Sequence, residues 1–83
     1  MVRVAQEGPY VFRVNANDWI PHVHVEFGGE MYRIDLRIGQ FMDGRRSPEA
    51  GAILDAYRKH LPEIWATWNR LHPKREGEGD EEN

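Results

Sequence analysis

The chain contains no cysteine, so no disulfide can staple its 83 residues together. That absence fits a reducing compartment, and a cytoplasmic location is expected. It also lacks any apolar run near the roughly 20 residues of a membrane span, and Met1-Val2-Arg3-Val4 does not open the long apolar stretch of a signal peptide. No basic excess is present either. The net charge is -3, and the imbalance is confined to one place. From Lys74 to Asn83 two basic residues stand against five acidic ones, leaving nine against nine in residues 1–73. A neutral body of this kind disfavours a nucleic-acid binder, which needs a basic stripe to displace counterions from phosphates. The Arg45-Arg46 pair is too small to be one and reads as a solvated loop.

What is present divides into alternating and helical patterns. The length allows one domain, expected over residues 1–73, with 74–83 an acidic, disordered tail. Val2 and Val4 alternate weakly around Arg3. Glu7-Gly8-Pro9 reads as a turn, and Tyr10, Phe12 and Val14 alternate as a strand. Asn15-Ala16-Asn17-Asp18 is loop chemistry.

The centre is richest. His22 to Phe27 alternates, Gly28-Gly29 follows, and Glu30 to Ile38 alternates again, a β-hairpin pattern. A turn on the two glycines pairs Phe27 with Glu30, Val25 with Tyr32 and Val23 with Ile34. Leu36 and Ile38 fall on that apolar side. On the other side His24 opposes Arg33 and His22 opposes Asp35, and this face is expected to look outward.

Ser47-Pro48-Glu49 is a helix start, with a capping side chain and proline at the first helical position. Ala50, Leu54, Tyr57, Leu61, Ile64, Trp68 and Leu71 then form one apolar stripe, widened by Ile53 and Trp65. Pro62 must kink this helix or split it near His60-Leu61. The expected architecture is therefore α+β: a three- to four-stranded antiparallel sheet followed by a kinked helix or helix pair packed on one face.

The run Pro21-His22-Val23-His24-Val25-Glu26 resembles the small prokaryotic proteins of domain of unknown function four-one-six-zero, whose signature is proline followed by His-x-His-Val on a strand. The likeness spans about residues 2–72. Gly8 to Phe12 matches the family's upstream aromatic strand. Leu61, Ile64 and Trp68 match its last helix, while Ile20 stands where many members have a second proline. The resemblance implies a strand-then-helix domain encoded beside another small domain gene, in toxin–antitoxin-like pairs or as mobile-element cargo. It implies no catalytic residue.

Two histidines at i and i+2 of a strand point to one face, about 7 Å apart. Such a pair suits a metal such as zinc, with Asp35 as third ligand or as an orienting partner of His22 and Glu26 as a base. His24 with Arg33 could instead attack and steady a phosphate, as in a small nuclease that also uses His22. Neither constellation is complete. The expected function is thus a non-enzymatic protein-interaction module without cofactor, of a toxin–antitoxin-like or phage-inhibitor system. Its candidate contact residues are Trp65, Trp68, His22, His24 and Arg33. The partner is expected to be another protein, with a second copy of the chain as the alternative and neither nucleic acid nor membrane involved. A His- or metal-dependent nuclease toxin is the alternative function. His60 and His72 read as helix-end residues favoured by the dipole.

Overall fold

A two-residue connection between strands is stable when both residues take positive φ, which lets the turn follow the twist of the strands. Gly28 and Gly29 do so, with φ of 62° and 79°. In the computed structural model, which describes residues 1–17, 19–45 and 47–73, they join β3 (His22–Phe27) to β4 (Glu30–Asp35). The register runs His22↔Asp35, Val23↔Ile34, His24↔Arg33, Val25↔Tyr32 and Phe27↔Glu30, as the alternation predicts. Ahead of them lie β1 (Val2–Glu7) and β2 (Tyr10–Val14), and after them the two-residue β5 (Gln40–Phe41). The five strands form one antiparallel sheet in the order β1-β2-β3-β4-β5.

Partners directly across a sheet share a face. Phe12, Val25 and Tyr32 are one such set, and Val23 with Ile34 another. This face is covered by α1 (Ala50–Lys59) and α2 (Leu61–Leu71). Between them Phe12, Val14, Val23, Val25, Ile34, Ile53 and Ile64 are fully buried. Such side chains each contribute roughly 1.5–3 kcal/mol on burial, and with no disulfide they carry the fold. The helices divide at His60, and Pro62 lies in the first turn of α2, where its missing N–H costs nothing. Ser47 accepts a hydrogen bond from the Glu49 N–H at 2.9 Å. The helix proper starts at Ala50, three residues after this turn begins. In α1 the centre of the stripe is Ile53, fully buried, while Leu54 is half-buried.

Several expectations need correction. The sheet has five strands, not three or four. Strand β4 ends at Asp35 because its carboxylate accepts the Arg37 N–H at 2.8 Å and its carbonyl accepts the Gly39 N–H at 2.7 Å, closing a turn. Ile38 is thereby carried out of the sheet and is exposed rather than beside Leu36 in the core. Asp18 of the expected 15–18 loop, Arg46 of the basic pair and the acidic segment 74–83 lie outside the described residues. Among the described residues no helix is long and apolar enough to cross a membrane.

Candidate functional site

The face of the sheet away from the helices is polar by alternation. Its central feature is a row across four strands, set by the pairings Arg3↔Arg13, Arg13↔His24 and His24↔Arg33. Two of its three arginines are ion-paired in place. Arg13 pairs with Glu26 at 3.3 Å, Arg33 pairs with Asp43, and Arg3 donates to Gln6.

At the open end of the hairpin this face does not look outward as expected. His22 is only 4% exposed and Asp35 only 5%. Register determines the face a strand-end residue points to, not what folds over it. The His22 Nδ1–H donates to the Ile20 carbonyl at 2.7 Å, and the adjoining Pro21 carbonyl accepts the Leu36 N–H at 2.9 Å. The His22 ring lies 6.3 Å from the Trp68 ring of α2 and 4.8 Å from the His24 ring, centroid to centroid. The two Nε2 atoms approach to 3.2 Å.

Asp35 is otherwise occupied. Its carboxylate receives the Arg37 guanidinium at 3.1 and 2.8 Å, besides the backbone N–H. The Arg37 hydrogen bonds hold its pKa below the ordinary carboxylate value. Of the three residues expected for a metal, Asp35 is held by Arg37, while His22 and His24 face each other through Nε2. His24 and Arg33 are cross-strand neighbours as expected, but the His24 Nε2 faces His22 and the Arg33 guanidinium faces Asp43.

Of the proposed contact aromatics, Trp68 is buried at 5% exposure and stacks on His72, with ring centroids 3.6 Å apart. His72 also donates from Nδ1 to the Trp68 carbonyl at 3.0 Å. Trp65 is half-buried against the core. Trp68 and His22 therefore present almost no surface to a partner.

The exposed tryptophan is Trp19, a residue that periodicity gives no reason to single out. It stands between turn-forming residues and Ile20-Pro21, outside any alternating run, and that isolation was the available signal. In this antiparallel order, the start of β1, the β2–β3 connection and the β4–β5 turn all lie at one end of the sheet. Every large apolar side chain exposed among the described residues belongs to that end: Met1 (57%), Val2 (37%), Trp19 (87%), Ile20 (44%) and Ile38 (64%). At a strand spacing of about 4.8 Å, the end of a five-stranded sheet is about 19 Å wide.

Compared with known proteins, the chain matches no family model, no curated protein and no solved structure. None of these comparisons bears on the resemblance to domain of unknown function four-one-six-zero.

Proposed function

We propose that this domain is a non-enzymatic protein-interaction module that docks another protein at the apolar end of its sheet. One observation carries the reading: the exposed large apolar residues are gathered at a single end instead of scattered over the surface. Scattered single apolar residues are ordinary, whereas a gathered set marks a contact surface. Tryptophan is the side chain most enriched among the residues that dominate binding energy. Trp19 and Ile38 thus replace Trp65 and Trp68 as the proposed anchors. The motif resemblance is what suggests a two-gene, toxin–antitoxin-like or mobile-element setting, with the neighbouring gene product as the proposed partner.

The test is co-purification of the full chain with the neighbouring gene product, compared with a Trp19→Asp/Ile38→Glu variant. Both side chains are exposed, so the variant should melt with the wild type. It should retain less than a tenth of the partner. Equal recovery by wild type and variant would refute the docking end.

The second reading, a His-dependent or metal-dependent nuclease toxin, draws on the approach of His22 to His24. It requires that the purified chain cleave RNA and that His24→Ala abolish the cleavage.

A further inference from the structure

We propose that the open edge of β5 receives an extended, antiparallel segment of a partner protein, with an aliphatic side chain held between Phe41 and Leu54 and an acidic one, two residues earlier, on Arg45. This goes beyond the docking end and stands on different residues.

By strand order the sheet has two edges, β1 and β5. They are not equivalent. The ladder of β1 is interrupted between Arg3 and Ala5. Arg3 and the Lys59–Glu7 ion pair put charge near its two ends. Irregularity and charge are the usual means by which an edge refuses another strand. The β5 edge, Gln40–Phe41, carries neither. It is only two residues long, so the side chains beside it must supply what backbone pairing does not.

Neighbouring residues of a strand direct their backbone groups to opposite edges. The Met42 N–H donates to the Arg33 carbonyl of β4 at 2.9 Å, and Gln40 lies opposite Asp35. Phe41, between them, therefore points its N–H and C=O away from β4. Among the described residues neither group has a hydrogen-bond partner. Together they match the C=O and N–H of one residue in an antiparallel strand.

The surroundings select what that strand carries. Phe41 pairs with Ile34, so its ring lies on the helix side of the sheet. There Gln40, Phe41, Gly44, Arg45 and Leu54 line a cavity of about 530 Å³, within the roughly 300–1,000 Å³ of ligand sites. Phe41 and Leu54 are each half-buried against the core, and the rest of each forms the cavity wall. Directly opposed residues of an antiparallel pair share a face. The incoming residue bonded to Phe41 thus turns its side chain into this cavity, where the apolar walls favour an aliphatic group. The position two residues earlier lies on the same face, level with Tyr32. The Arg45 guanidinium stands there, 5.1 Å from the Tyr32 ring. Glu30 orients it through one terminal nitrogen at 2.8 Å, while the other makes only a long bond of 3.4 Å to the Met31 carbonyl. That second nitrogen has the donor capacity for a further carboxylate. Main-chain bonds then set the direction of the bound segment and the two side chains set its identity, as in other strand additions.

The experiment pans a random heptapeptide library on the full chain. Enrichment of an acid, any residue, then an aliphatic residue is expected. A selected peptide titrated into the isotope-labelled chain should shift the Phe41 amide and slow its hydrogen exchange. N-methylation of the aliphatic residue removes its bond to the Phe41 carbonyl and should weaken binding about tenfold. Arg45→Glu changes an exposed side chain and should weaken the peptide several-fold. That variant should prefer the peptide whose acid is replaced by lysine. Trp19→Asp should bind the selected peptide as wild type does, which separates this edge from the docking end. No enriched pattern, peptides that leave the Phe41 amide unmoved, or an unchanged charge preference in Arg45→Glu would overturn the proposal.

Discussion

His60 bonds Glu7 through Nε2 and Oε1 at 2.9 Å, tying the break between the helices to the last residue of β1. The other ring nitrogen faces Glu63 at 3.2 Å, and Lys59 reaches Glu7 at 3.1 Å. The hydrogen bond to Glu7, aided by Glu63, raises the His60 pKa above its ordinary value against the opposing effect of burial. The same bond, with Lys59, lowers that of Glu7.

These shifts specify a pH window. A raised histidine pKa gives stability that is fully present below the unfolded value, about 6.5, and is lost as pH rises through the folded one. The lowered Glu7 pKa gives stability that is present above the unfolded value, about 4.3, and is lost as pH falls through the folded one. The melting-temperature advantage of wild type over His60→Gln should thus be largest between about pH 5 and 6 and shrink toward pH 9. An advantage constant over that range would contradict this account.

Trp68→Ala should cost about 3–5 kcal/mol, the usual cost of truncating a large buried aromatic. It removes the stacking partner of His72 and a neighbour of His22 together. A small domain has little more stability than that, so the variant should be unfolded or aggregate at room temperature, as read by near-ultraviolet circular dichroism.

Asp35→Ala leaves the Arg37 N–H without its carboxylate and opens the turn that ends β4. Hydrogen bonds to charged groups are worth about 1.5–3 kcal/mol. The exposed Arg37 guanidinium places the expected loss at neutral pH near the lower end. Because the folded pKa of Asp35 is depressed, its contribution is present above the unfolded value and disappears as pH falls through the folded one. Urea titrations at neutral and strongly acidic pH should therefore show a large and then a small difference from wild type.

Gly29→Ala should destabilise by about 1–2 kcal/mol, because a side chain at positive φ brings Cβ against the following carbonyl. Nothing crowds the position, so backbone conformation alone sets the cost. Gly28→Asn should be nearly neutral, since Asn-Gly is a favoured pair for this turn. Equal losses from both substitutions in denaturant titrations would contradict the turn assignment.

The parts of the fold legible in the sequence are those determined by local chemistry. Gly28-Gly29 sets the register of β3 and β4 because a tight turn leaves the strands no freedom to slip. Pro62 announces the division of the helices. Strand β5 was not legible because two residues carry no period. The extent of β1 was obscured by the irregularity between Arg3 and Ala5, which breaks its alternation. The His-x-His pair was visible, but the approach of its nitrogens depends on ring rotation and on Trp68, far along the chain. Burial of His22 and Asp35, and exposure of Ile38, follow from how the strand ends are closed over, which no alternating pattern encodes.

The strand order has a kinetic consequence. Each strand pairs only with its neighbour in the chain, so the sheet can grow hairpin by hairpin with short loops to close. Chains rich in such local contacts reach the native state quickly. The helices arrive last during synthesis and supply the distant contacts, such as that of Glu7 with His60. Damage to α2 should then accelerate unfolding far more than it slows folding.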